Sequence, residues 1–218
     1  MKQNEIVNFI GGVGALLRDG FKRSQYQEVI LPFTVLRRLD CVLKDSRVAV
    51  RIRQDELAGR VQGAELDREL RAASGFTFYN TSRWDFAALM AEKAEARVRL
   101  REYLAGFSPN LQQLLKCFEF ERTLYRLEQS GSFLLVLERF ASIGLHPNDI
   151  DNLVMGSVFE ELIRKFNSVD DNPGEHFTPR DVAHLMLDLL LSGQAPVPGE
   201  ASAVYDACCG YGALLTVA

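Results

Sequence analysis

The 218 residues carry 25 basic and 29 acidic side chains, a formal net charge of −4, with 47% apolar and 25% charged residues. That balance belongs to a folded chain with a core of its own; it excludes a disordered, collagen-like or disulfide-stapled polypeptide, and the length suits one to two domains. No apolar run approaches the roughly 18–20 residues of a membrane span. The opening MKQNEIVNFIGGVGALLRDG has one early lysine, Lys2, and no small-residue cleavage site, so it does not read as a signal peptide. A cytoplasmic protein with no membrane association is expected. The four cysteines (Cys41, Cys117, Cys208 and Cys209) lack CxxC or Cys/His spacing, so free thiols are expected rather than a structural zinc site.

Charge is placed unevenly. Residues 1–60 hold 11 Lys and Arg against 7 Asp and Glu, whereas residues 61–218 hold 14 against 22. Arg18, Lys22, Arg23, Arg37, Arg38, Lys44, Arg47, Arg51 and Arg53 crowd the first quarter. Such a face either neutralises phosphates or is an ordinary solvated surface.

In chain order, Ile6, Phe9, Ile10, Val13, Leu16 and Leu17 recur at helical spacing, and Val29, Leu31, Phe33, Leu36, Leu39, Val42 and Leu43 predict a second helix. Pro32 falls near that helix's start, where a missing N–H costs little. Residues 47–74 predict a charged, partly exposed helix. GFTFYNTS at 75–82 predicts a loop or short strand, with Thr81 or Ser82 capping the helix that follows. Helices are expected over 84–104, over 108–129 from a Ser108-Pro109 start, and over 133–140. The strongest stripe begins at Asn148 or Asp149 and runs through Ile150, Leu153, Val154, Val158, Phe159, Leu162, Ile163 and Phe166. A polar linker, NSVDDNPG at 167–174, follows and reads as an exposed loop.

Two motifs carry chemistry. GEHFTPR at 174–180 precedes an apolar stripe of Val182, Leu185, Met186, Leu189 and Leu190. Thr178 is placed as N-cap, Pro179 as the first helical residue and Asp181 in the first turn. This is either simply a well-made helix start, or one whose free N–H groups, with Thr178 and Glu175, face a polar ligand. The second motif is AVYDACCGYGALL at 203–215: Val204 and Tyr205 as a strand, Asp206 at its tip, a G-x-G turn at Gly210 and Gly212, then a helix. Glycines there let backbone approach a ligand without a Cβ in the way, and the Asp accepts hydrogen bonds from an ammonium group. Leu215 breaks the GxGxxG dinucleotide fingerprint, which disfavours NAD or FAD and favours S-adenosyl-L-methionine (AdoMet).

Taken together, the motifs resemble the modification (M) subunit of type I restriction–modification systems, a family of DNA adenine-N6 methyltransferases. The resemblance runs over nearly the whole chain, through VILPFTVLRRLDCVL at 29–43, GFTFYNTS at 75–82, MGSVFEELIR at 155–164, 174–180 and 206–215. It implies a mainly α architecture: a helical N-terminal domain at 1–145, followed at 146–218 by the incomplete start of an AdoMet-dependent methyltransferase α/β domain. It assigns Glu175, His176, Phe177, Thr178 and Arg180 to the cofactor pocket, and Asp206, Cys209, Gly210, Tyr211 and Gly212 to the loop that holds the cofactor's methionine part. DNA, a specificity subunit and a restriction subunit are the implied partners.

The chain departs from the family pattern at Ala207 (Pro in the family), Tyr211 (Ser or Thr) and Ala213 (Gly). It also contains no [Asn/Asp]-Pro-Pro-[Tyr/Phe] segment to hold a flipped adenine. The expectation is therefore an N-terminal portion, inactive by itself, able to self-associate through its unpaired strand. The rival reading is a non-enzymatic helical module for subunit assembly or DNA binding.

Overall fold

The computed structural model describes residues 3–167, 178–192, 203–210 and 212–217. Two units divide the chain, Met1–Val169 and Asp170–Ala218.

In the first unit, α1 (Gln3–Leu16) buries Ile6, Ile10 and Val13, with Leu17 just past its end, at the spacing the sequence predicts. A short 3₁₀ turn, Arg23–Gln25, leads into α2 (Gln27–Val42), which buries Val29, Ile30, Phe33 and Leu36. Pro32 lies inside α2, not at its start. Its missing N–H deprives the Glu28 carbonyl of a helical partner, and the Thr123 hydroxyl donates to that carbonyl instead, at 3.3 Å.

The charged stretch 47–74 is a helical hairpin, not one helix. α3 (Arg47–Leu57) and α4 (Gly63–Ser74) pack on each other around a small separate cluster of Val50, Leu70 and Tyr79. Segment 75–82 is a loop that turns at the left-handed Gly75 and holds one isolated antiparallel bridge, Asn80 to Phe107. It is stitched to the turn at 106–108 by Thr81 N–H to the Gly106 carbonyl (2.9 Å) and Ser108 N–H to the Tyr79 carbonyl (3.0 Å). Gly106 approaches this segment so closely that an added Cβ would lie 2.6 Å from Asn80 Oδ1.

Asp85, not Thr81 or Ser82, caps the next helix: its carboxylate accepts the Ala88 N–H at 2.7 Å. The predicted helix 84–104 divides into α5 (Phe86–Ala91) and α6 (Ala96–Ala105), separated by a 3₁₀ turn at Lys93–Glu95. The predicted helix 108–129 divides into α7 (Pro109–Cys117), started by Ser108-Pro109, and α8 (Phe120–Gln129). The break is at Glu119, which is left-handed (φ 48°) although it is not a glycine. α9 (Phe133–Ala141) and α10 (Asn152–Asn167) complete the unit.

Phe33 anchors the core between Phe120 (5.7 Å between ring centroids) and Phe140 (5.5 Å), and Tyr103 packs against Phe86 and Phe107. α10 packs on α1 and α2. It starts later than predicted, with the Asp151 carboxylate accepting the Val154 N–H at 2.8 Å. Its stripe is also narrower. Met155, Val158 and Leu162 are buried, but Leu153 is 68% exposed, because at 100° per residue it sits about 160° around the helix from Met155.

In the second unit, α11 (Arg180–Leu191) packs on α12 (Ala213–Val217). The predicted stripe is corrected here as well. Val182, Leu185, Met186, Leu189 and Leu190 are exposed, and the buried positions are Ala183 and Leu187. Val204 and Tyr205 are not a strand, and Tyr205 is 89% exposed. A strand needs a backbone partner, and among the described residues none pairs with them. Among the described residues, too, no helix is long and apolar enough to cross a membrane.

Candidate cofactor loop and the buried arginine network

The glycine loop has the local geometry its sequence calls for. Asp206 ends the extended stretch, and its carboxylate accepts the Cys208 N–H at 3.0 Å, which starts the turn. Gly210 (φ 51°) and Gly212 (φ 78°) both take left-handed conformations that side-chain-bearing residues rarely adopt. The Gly212 N–H closes the turn on the Cys209 carbonyl at 2.7 Å, and α12 begins at the next residue. Among the described residues, an added Cβ would meet nothing within 4 Å at Gly212, and only the Cys208 carbonyl, at 3.9 Å, at Gly210. The glycines are thus required by backbone conformation, and no described atom crowds them. That suits the close approach of a small charged group.

The first motif differs from its prediction. Thr178 makes no cap, since the N-cap is Pro179, with no side-chain cap bond, and the helix proper starts at Arg180. Pro179, at φ −58° and ψ 142°, is still extended, so the capping position moves one residue on from Thr178. Thr178 and Arg180 precede and open α11, and Asp206, Cys209, Gly210 and Gly212 precede α12, so both groups belong to one helix pair. Glu175, His176, Phe177 and Tyr211 lie outside the described residues.

The predicted basic face breaks up. Arg37 and Arg47 turn inward onto Asp40, a buried carboxylate of α2, while Arg38 is buried on main-chain carbonyls and Asn152 instead. Arg37 Nη1 pairs with Asp40 Oδ2 and Arg47 Nη2 with Oδ1, both at 2.5 Å, and Arg47 also pairs with Asp85. The Tyr103 hydroxyl donates to Asp40 Oδ1 at 3.1 Å and the Phe86 N–H at 3.4 Å. Burial pushes the Asp40 carboxyl above its ordinary value, opposed by the two guanidinium charges, Arg47 first and then Arg37. Burial likewise lowers Arg38.

The signal for this network was present in the sequence. Asp40 stands at i+4 from Leu36 and i−3 from Leu43, so it shares their buried face. Beside the network a cleft of about 510 Å³ opens, lined by residues of the α2–α3 turn, Asp85, and Gly144, His146, Asn148 and Asp149. Among the described residues, no group of three or more His, Cys, Asp or Glu is arranged to hold a metal. Cys41 is buried, and Cys117, Cys208 and Cys209 are exposed thiols.

Residues 6–140 match the family described as HsdM N-terminal domain, and residues 150–218 match the family N-6 DNA Methylase. No curated protein matches the chain. The first match takes in most of α1–α9, and the second takes in α10 and the glycine loop. The chain belongs to the HsdM N-terminal domain family and continues into N-6 DNA methylase sequence, the make-up of a type I restriction–modification modification subunit.

Proposed function

We propose that this chain serves methyl transfer from AdoMet to adenine N6 in DNA, with residues 1–145 as the helical domain and 146–218 as methyltransferase sequence. In this reading Asp206 accepts hydrogen bonds from the ammonium group of the cofactor's methionine part, and Gly210 and Gly212 let the main chain reach its carboxylate. Glu175, His176, Phe177, Thr178, Arg180, Cys209 and Tyr211 line the remainder. When bound, the cofactor supplies an activated methyl group. DNA is the substrate, and a specificity subunit and a restriction subunit are the partners.

The observation that carries the reading is the pair of left-handed glycines behind Asp206, in a segment that matches N-6 DNA Methylase. Methyl transfer also needs a base-holding [Asn/Asp]-Pro-Pro-aromatic segment and a second acidic strand end for the ribose, and the 218 residues contain no such tetrapeptide. Losing two or three cofactor hydrogen bonds, at about 1–1.5 kcal/mol each, weakens binding by roughly two to three decades.

The test is a titration of the isotope-labelled chain with AdoMet, followed by backbone amide NMR. Resonances of Thr178, Arg180 and 206–212 are expected to move with weak saturation, and Asp206→Ala is expected to abolish the movement. Shifts confined to other residues, or an Asp206→Ala chain that responds like the parent, would mean that the pocket is misplaced.

A further inference from the structure

The two family matches leave the stretch 141–149 between them. In the structure it is bolted to α2. Arg37 Nε donates to the Ile143 carbonyl (2.8 Å), and its Nη2 donates to the Ala141 carbonyl (3.2 Å). Arg38 Nη1 donates to the carbonyls of Leu145 (2.6 Å) and Ile150 (2.7 Å), and its Nη2 donates to Asn152 Oδ1 (2.8 Å), at the first residue of α10. The Leu145 N–H points back at Cys41 Sγ (3.4 Å). Ile143, Leu145 and Ile150 are buried beneath these bonds. Two adjacent arginines thus satisfy four main-chain carbonyls and one side chain across more than 100 residues of sequence. Arg37 is itself held from behind by Asp40.

The geometry points to Arg37 and Arg38 as a latch: they are positioning residues that make the 141–152 junction rigid and lock α10, the opening helix of the methylase-matched sequence, into the helical unit. Movement between the two functional parts therefore does not occur at the boundary between the family matches. α10 travels with α1 and α2, on which it packs. The role of α10 as the methylase's opening helix rests on the function proposed above. The latch itself does not, and its test uses neither AdoMet nor DNA.

Two spin labels read the latch in the intact chain: one on the native exposed Cys117, the other on exposed Leu153→Cys, with Cys208→Ala and Cys209→Ala removing the other exposed thiols. With Arg38 present, a single narrow inter-label distance is expected. Arg38→Met is expected to lose it for a broad distribution while circular dichroism keeps the helical signal. Arg38→Lys is expected to do the same, because an ammonium keeps the charge but has all its donors on one nitrogen and cannot span the acceptors that Arg38 reaches from Nη1 and Nη2. If Arg38→Met does not fold, Asn152→Ala, which removes one acceptor at an exposed position, must broaden the distance. A distribution that is already broad with Arg38 in place overturns the latch. So does one that stays narrow in the folded variants, or one rescued fully by lysine.

Discussion

Leu162 and Leu153 lie on the same helix and the same predicted stripe, yet the structure buries the first completely and leaves the second 68% exposed. Truncating each to alanine therefore separates a core helix from a surface helix. Leu162→Ala removes three carbons from a site packed beneath α10, at about 0.8 kcal/mol per methylene in transfer terms. The cavity left behind adds to this, for a total of about 2–5 kcal/mol. For a unit of this size each kcal/mol moves the midpoint by about 2–4 °C, so a loss of about 3 kcal/mol lowers the melting temperature by about 6–12 °C. Leu153→Ala should stay within about 0.5 kcal/mol of the parent.

The chain carries its own probe for this pair. Its one tryptophan, Trp84, is buried in the helical core outside α10. Its fluorescence thus reports whether α10 unfolds with the rest. Urea unfolding followed by Trp84 emission and by far-ultraviolet circular dichroism should shift together for Leu162→Ala and not at all for Leu153→Ala. Equal shifts for the two variants would restore the wide stripe. A Leu162→Ala chain with an unmoved Trp84 transition would show that α10 is not part of this core, and the packing argument would fall.

Two further outcomes follow from particular contacts. Thr123→Val leaves the Glu28 carbonyl without the donor that replaces the N–H of Pro32, and should cost about 1–3 kcal/mol in urea unfolding; a neutral effect would mean that the carbonyl is satisfied otherwise. Burial first, then the Asp67 charge and hydrogen bond, push the Tyr79 hydroxyl up to about 12 from an ordinary value of 10.0, while burial and Asp40 hold Tyr103 well above it. The folded chain keeps these protons where the unfolded chain releases them. The Tyr79 contribution is therefore fully present below pH 10 and is lost as pH rises through about 12, and that of Tyr103 changes in the same direction. Melts across that window should show a falling midpoint, part of which Tyr79→Phe removes. A slope unchanged by Tyr79→Phe would refute the assignment.

Helix existence was legible throughout the first unit because each helix buries one face and repeats that face every three or four residues. Helix ends were less so. The breaks inside 84–104 and 108–129 carry no glycine or proline that announces them; the chain turns at Lys93–Glu95 and at a left-handed Glu119, where tertiary packing overrides local preference. Pro32 misled in the other direction. It reads as a start signal, but it is tolerated inside α2 because a hydroxyl from α8 supplies the lost bond. Leu153 was misassigned because an apolar residue at an approximate helical spacing is compatible with either edge of a stripe, and only the packing of α1 and α2 on α10 decides which.

The two candidate sites differ in legibility for a physical reason. The glycine loop is a local object: two left-handed positions, one aspartate and the helix that follows lie within a dozen residues, so spacing alone specifies it. The arginine network is a non-local one. Arg37 and Arg38 meet acceptors 104 to 114 positions away, and main-chain carbonyls have no residue type, so no motif can mark them. A run of arginines in sequence is thus equally a phosphate-binding face or an internal clamp. What separates the two is the acid in the stripe: a carboxylate at Asp40, on the same face as Leu36 and Leu43, must be buried, and a buried carboxylate draws cations inward. Asp40 thus accounts for the inward turn of Arg37 and Arg47, whereas Arg38, held by carbonyls and Asn152, carries no such mark.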